Sequence, residues 1–239
     1  MIDAHLAKLR KRDEISAAEE QAIRDAVAGT KEVGADQTFV RRGQELDTSM
    51  ILVEGWAARA RDLADGRRQI IELHVPGDFA DLHSFSLKRL DHDLIALTRC
   101  TLALVPHEKL REISERFPHL TRVYWFATNL DAAIHREWAV SLGRRSALSA
   151  MAHIFIELFI RLEIIGRTRG PSFDLPLTQE RLADCLGMTA VHANRTLQEL
   201  RAQELIRLQG KVLTILDRPG LEAVAEFNPD YLYLERKLR

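Results

Sequence analysis

The chain has 239 residues, 46% hydrophobic and 29% charged, enough to bury a substantial core in one large domain or two of ordinary size, and a composition that excludes a disordered tail. Lysine and arginine (34) nearly balance aspartate and glutamate (35), and the formal net charge of −1 excludes polyanion binding driven by bulk charge while leaving room for a local basic face. The two cysteines, Cys100 and Cys185, are too far apart in sequence for a clustered zinc or four-thiolate iron–sulfur site and fit a reducing cytosol.

Met1 is not followed by a cationic start and an apolar core, and no apolar run reaches the roughly 18 residues of a membrane-spanning helix. The expectation is a cytoplasmic protein with no membrane contact. Residues 15–27 read as a short amphipathic helix. Alternating segments follow, with strands expected at 36–40, 50–54, 56–61, 67–74 and 95–105. Asp65 and Gly66 signal a hairpin turn, and Pro76, Gly77 and Asp78 another, so this block closes as a compact antiparallel barrel or jelly roll.

From Phe117 the period becomes helical. Leu120, Val123, Ala127, Leu130, Ile134 and Trp138 form one apolar stripe, which either packs against the chain's own barrel or pairs with the same helix of a second subunit. Gly143, Arg144 and Arg145 suggest a hinge before a second apolar helix at 147–162, and 166–176 reads as a looser connection. A helix at 179–186 then meets a sharp turn at Gly187. Thr189 caps a second helix running to about residue 203, because its hydroxyl can accept a hydrogen bond from an unpaired backbone N–H. The opening turns of that helix present Ala190, Val191, Asn194 and Arg195, short or hydrogen-bonding side chains suited to a major groove. A strand-like 205–208, a turn at Gln209, Gly210 and Lys211, and a second strand-like 212–216 end the pattern.

Over nearly its entire length this order resembles the Crp/Fnr family of bacterial transcription regulators, most specifically at LTQERLADCLGMTAVHANRTLQELRAQELI, residues 177–206. In the first half, Gly55, Gly66 and the Pro76, Gly77, Asp78, Phe79 run look like that family's spaced barrel glycines. The resemblance implies an α+β fold in three parts. These are an N-terminal cyclic-nucleotide-binding-like β-barrel (jelly roll) with its N-terminal helix over 1–116, a long dimerisation helix over 117–142, and a C-terminal winged helix-turn-helix over 143–239. It implies a homodimer on double-stranded DNA, with recognition helices in major grooves about 34–36 Å apart. It implies no cofactor, and it adds RNA polymerase and an unidentified small-molecule effector as further partners.

Within that resemblance each group has a role its chemistry allows. Arg195 can make paired donor bonds to guanine, Asn194 can reach a base edge or phosphate, and Ala190 and Val191 can meet a thymine methyl. His192 is a weaker candidate, since it can equally face solvent or the preceding helix. Thr178 and Gln179 at the start of the first helix and Lys211 in the wing can hold phosphates, with local capping and a solvated lysine as the plain alternatives. Thr189 completes the DNA-binding set.

The sequence also departs from the family. Many relatives carry arginine and glutamate near the places of Ala190 and Val191, and only Arg195 is retained, so a different operator is expected. In the barrel, residues 77–98 read GDFADLHSFSLKRLDHDLIALT, which puts Leu82 at the family's ribose-binding glutamate and His92 at its phosphate-binding arginine. An imidazole does not reproduce a bidentate guanidinium, so cyclic-nucleotide binding of the usual kind is disfavoured unless Arg89 turns inward. His74, His83 and His92 are equally spaced, yet they fall on different elements without a metal-ligand motif and read as ordinary polar positions. The main alternative is a jelly-roll metal-dependent enzyme or a small-ligand-binding protein. The sequence offers neither a nucleophile–base series nor a phosphate loop for the former.

Overall fold

The computed structural model describes residues 1–238; Arg239, the end of the third expected segment, lies outside the described residues. Two short helices, α1 (Asp3–Arg12) and α2 (Ala17–Asp25), precede the barrel. A reciprocal capping pair starts α2: the Ser16 hydroxyl accepts from the Glu19 N–H, and the Glu19 carboxylate accepts from the Ser16 N–H at 2.9 Å. The sequence predicted α2 and missed α1, whose anchors Leu6 and Leu9 lie among lysines and arginines that hide the period.

Seven strands follow: β1 (Gly29–Val33), β2 (Thr38–Val40), β3 (Thr48–Glu54), β4 (Ala57–Asp62), β5 (Arg68–His74), β6 (Asp93–Ala96) and β7 (Cys100–Pro106). A short helix α3 (Ser84–Leu87) lies between β5 and β6. They form two antiparallel sheets, β1-β7-β3 and β2-β6-β4-β5, which share one apolar interior built from Val33, Leu52 and Leu102 on one side and Phe39, Ala57 and Leu94 on the other. This is the expected jelly roll. The single strand predicted over 95–105 is corrected to two. The N–H groups of Leu97 and Thr98 both donate to the Trp56 carbonyl, at 2.8 and 3.3 Å, and turn the chain from one sheet to the other at the polar Thr98–Arg99 step. The edge strand β1 is mostly exposed, which is why it carried no alternation.

Gly77 closes the turn after β5 with φ +90°, and a Cβ there would lie 2.7 Å from the Ala4 carbonyl. Helix α1 therefore rests directly on this glycine, and a ring nitrogen of His5, Nδ1, lies 2.9 Å from the Gly77 carbonyl oxygen.

Three helices lead out of the barrel: α4 (His107–Arg116), which the sequence did not reveal, α5 (Pro118–Gly143) and α6 (Ala147–Glu163). On α5, Leu120, Val123, Ile134 and Trp138 are buried within the single chain and Ala127 and Leu130 are half-buried. Leu120 and Val123 pack with the α1, α2 and α4 side of the barrel, and Ile134 and Trp138 pack with α6. Of the two readings of this stripe, the single chain shows the self-packed one at Leu120, Val123, Ile134 and Trp138, while Ala127 and Leu130 keep part of their surface open. Helix α5 ends at Gly143, and the Ser146 hydroxyl caps α6 by accepting from the Ser149 N–H at 3.1 Å.

The remainder contains β8 (Thr168–Arg169), β9 (Ser172–Asp174), α7 (Gln179–Leu186), α8 (Ala190–Ala202), β10 (Ile206–Gln209), β11 (Val212–Ile215), α9 (Arg218–Ala225) and a 3-10 turn at Pro229–Leu232. The stretch 166–176, expected as a loose connection, is instead a tight hairpin. It joins the wing in a four-stranded sheet of order β10-β11-β9-β8, anchored by the fully buried Phe173. Its Gly170–Pro171 turn read as a linker because only two core residues, Phe173 and Leu175, mark the stretch.

Candidate nucleic-acid interface

The sharp angle between α7 and α8 follows from three residues. The Thr178 hydroxyl caps α7 by accepting from the Arg181 N–H at 3.1 Å. Gly187 takes φ +62° and stops that helix, a left-handed conformation that a side chain rarely tolerates. The Thr189 hydroxyl then caps α8 by accepting from the His192 N–H at 3.2 Å. Helix α8 buries Ala193, Thr196, Leu197 and Leu200, so its opposite face points away from the core.

That outward face carries most of the predicted residues. Ala190, Val191, His192 and Arg195 are exposed, and Val191, at 72% exposed, offers its methyl groups to solvent on this face. Arg195 forms no ion pair with any of the described residues, so its guanidinium is open to a new acceptor. Thr178, Gln179 and Thr189 are exposed near the α7 and α8 starts, and Lys211 is exposed at the wing tip. Asn194 differs from the expectation: it is half-buried and its Oδ1 is enclosed without a hydrogen-bond partner.

Sequence reasoning missed Arg201, whose Nη2 donates to the Leu208 carbonyl at 2.8 Å and fixes the wing to the end of α8. It also missed how α7 meets the barrel. The Gln69 amide on β5 donates to the carbonyls of Asp184 and Cys185 at 2.9 and 3.2 Å, and Arg181 pairs with Asp36 at 3.0 Å. Contacts joining residues more than a hundred positions apart leave no local pattern.

In the barrel, Leu82 is buried against apolar neighbours, His92 is buried beside Asp91 (Nδ1 to Oδ1 2.8 Å), and the His83 and His92 rings lie 5.4 Å apart. Arg89 points outward to Glu45 at 2.9 Å and does not turn into the interior. The positive charge inside comes instead from Arg59 on β4, which the sequence reading overlooked. Its side chain is 2% exposed, and it pairs with Glu72 at 2.6 Å and Asp131 at 2.9 Å while donating to the Ala80 carbonyl. Burial alone would raise the Glu72 carboxyl, but the Arg59 charge, with a hydrogen bond from His135, holds it well below the usual carboxylate range. Burial, reinforced by the charge of Glu72, pushes Asp131 on α5 up to about 7. Burial drives His74 down to about 3, leaving that imidazole neutral. Arg59, Asp131, His83, His92 and His135 line a cleft of about 490 Å³ between the barrel and α5.

Both halves match known families. Residues 30–117 match the cyclic nucleotide-binding domain, and residues 150–224 match the Crp-like helix-turn-helix domain. The chain is 31% identical over 199 residues to the transcriptional activator protein FnrL of Cereibacter sphaeroides, covering 81% of this chain and 78% of that protein. It is 30% identical over 184 residues to the nitrogen fixation regulation protein FixK of Bradyrhizobium diazoefficiens, covering 76% of each. Among solved structures, FixK2 from Bradyrhizobium japonicum superposes with a TM-score of 0.76 at 23% identity, over 83% of this chain and 97% of that one. None of these relatives supports the enzyme alternative, and no helix among the described residues is long and apolar enough to cross a membrane. A capped helix pair with an open outer face, on a chain this similar to named regulators over both halves, makes the protein a member of the Crp/Fnr family, a DNA-binding transcription regulator.

Proposed function

We propose that the chain binds a near-palindromic operator in double-stranded DNA as a homodimer, each subunit laying the N-terminal end of α8 into the major groove. The observation that carries this reading is the open face of α8, where exposed Val191 and unpaired Arg195 sit beside the small Ala190. Arg195 reads guanine, Ala190 and Val191 meet thymine methyls, and His192 and Asn194 lie at the edge of that footprint. Thr178, Gln179, Thr189 and Lys211 hold phosphates and set the register. Selection of bound sequences from random duplex DNA by the purified full-length chain tests this directly. An inverted repeat is the expected product, and a chain that enriches no duplex would defeat the reading.

For the dimer, the face of α5 left open supports a seam of its own. Trp125, Thr128, Ala132, His135, Ala139 and Leu142 recur at alternating steps of three and four; Trp125 is 69% exposed, and Ala132 and Ala139 are small enough for close helix approach. His135 turns partly inward, its Nε2 lying 2.9 Å from Glu72. Glutamate at Ala132 and Ala139 together places like charges across this seam without touching the core. The variant should sediment as a monomer and, deprived of two-site avidity, lose on the order of 10²-fold or more in operator affinity. A variant that remains dimeric would show that the seam lies elsewhere.

An effector, in this reading, occupies the cleft between the barrel and α5, and the lining favours a neutral or cationic ligand over a cyclic phosphate. Arg59 is already engaged by Glu72, Asp131 and Ala80, and Asp91 adds further acidity. The activator role in FnrL's name supports RNA polymerase as the second macromolecular partner.

A further inference from the structure

Three segments lie outside both matched family regions, residues 1–29, 118–149 and everything after 224, and the first and last of them touch each other. After α9 the chain leaves the DNA-binding module, makes the 3-10 turn at Pro229–Leu232, and reaches α1. The Arg12 guanidinium, nearly buried, donates through Nε and Nη2 to the Leu232 carbonyl, both at 3.2 Å, and the Lys237 N–H donates to the Arg12 carbonyl at 3.0 Å. Tyr233 meets Phe126 of α5 edge-on with ring centroids 5.9 Å apart. Tyr231 stacks on His153 and donates its hydroxyl to Glu157 at 2.9 Å.

Glu157 passes the connection onward. It pairs with Arg161 at 3.0 Å, Arg161 pairs with Asp78 in the turn after β5 at 3.0 Å, and Asp78 pairs with Lys8 of α1. The contacts form a closed ring, from α1 through the barrel turn and α6 to the tail and back to α1. The module is thus tethered at both ends, by the α5–α6 junction at Gly143–Ser146 and by the returning tail.

We propose that residues 227–238 are a strap that holds the DNA-binding module in its DNA-reading pose before any ligand arrives. The direction follows from what the docked pose leaves open. The strap, Gln69 and Asp36 engage α1, α6 and α7, while none of them covers the outer face of α8. Removing a restraint on the competent pose lowers its population, and apparent affinity falls in proportion.

The test compares the intact chain with a truncation ending at Glu226 and with two mild variants, Arg12→Ala and Tyr231→Phe. Affinity is read on a duplex recovered by selection, and tryptic cleavage after Arg144, which is exposed at the junction, is followed by mass spectrometry. If truncation leaves the competent pose about a tenth populated, operator affinity falls about tenfold, cleavage after Arg144 accelerates, and Arg12→Ala shifts both readouts the same way. Tyr231→Phe should give a smaller shift, because it removes one hydrogen bond and keeps the ring. Unchanged or tighter DNA binding in the truncated and Arg12→Ala chains would overturn the proposal, as would unchanged cleavage; if the truncated chain does not fold, the two point variants decide by the same criteria. The inference rests on the DNA-binding reading for its affinity arm alone. An intact chain that binds no duplex defeats that reading, whereas the cleavage arm still decides whether the tail restrains the module.

Discussion

Replacing Arg59 with alanine is expected to lower the thermal midpoint by roughly 10 °C, since breaking a buried ion pair costs about 3–5 kcal/mol and each kcal/mol is worth about 2–4 °C in a chain of this size. Among the described residues Arg59 alone pairs with both Glu72, 1% exposed, and Asp131 of α5, so its loss takes the guanidinium away from two carboxylates in the wall between barrel and helix. The pH dependence distinguishes lost charge pairing from lost packing. In the intact chain the depressed Glu72 contributes stability that is present above its ordinary value of 4.5 and disappears as pH falls through its lower folded value. Asp131 acts oppositely. Its folded value of about 7 lies above the ordinary 3.8, so the folded chain holds a proton the unfolded chain lacks, and stability declines as pH climbs across that window. Without Arg59 both carboxyls gain affinity for protons, and the deficit should be larger at pH 8 than at pH 5. Equal deficits at the two pH values, measured by calorimetry, would mean that the side chain's bulk was the whole contribution. Pairing Arg59→Met with Glu72→Gln should recover part of the loss, because it leaves fewer charges buried without a partner.

Arg195→Ala should cost roughly 1–3 kcal/mol at the specific operator, about 5- to 150-fold in affinity, while leaving the fold and the oligomeric state untouched. The side chain is exposed, lies on the helix face opposite Leu197 and Leu200, and has no intramolecular ion pair to lose. Repeating the duplex selection with the variant should relax preference at one position in each half-site. Lys211→Ala provides the contrast: with the phosphate role proposed for Lys211, its removal weakens all sequences alike and makes affinity less sensitive to salt. If Arg195→Ala also weakened every sequence equally, Arg195 would be a backbone contact, and base reading would fall to Val191 and its neighbours.

The helix pair was legible because its signals are local. Thr178, Gly187 and Thr189 each act on a backbone group within a few residues, and the apolar spacing of α8 needs no knowledge of the rest of the chain. The jelly roll was legible for the same reason, strand by strand, and the mistake over 95–105 arose where alternation continued through a sheet-to-sheet corner. Periodicity on α5 revealed that Leu120 to Trp138 would be buried, but a buried stripe does not say what buries it. The exposed face through Trp125 and Ala139, proposed above as the dimer seam, did not stand out because an alanine, threonine and histidine pattern carries little apolar contrast. Arg59 lay hidden inside AARARD, where a charge on a strand suggests solvent; its partner Asp131 is 72 positions away. The tail's return to Arg12 spans 220 positions and follows no pattern a window can see.

The wing does not stand alone as a two-stranded flap. Strand β9 pairs along β11, the Ser172 and Thr214 hydroxyls lie 2.8 Å apart, and the Leu175 N–H donates to the Lys211 carbonyl at 2.7 Å, beside the tip itself. Such a sheet surrenders little motional freedom when it meets a sugar–phosphate rail. If the wing tip meets phosphate as proposed, its height relative to the groove is set in advance, and the sheet would gauge how far the neighbouring helix descends between the strands.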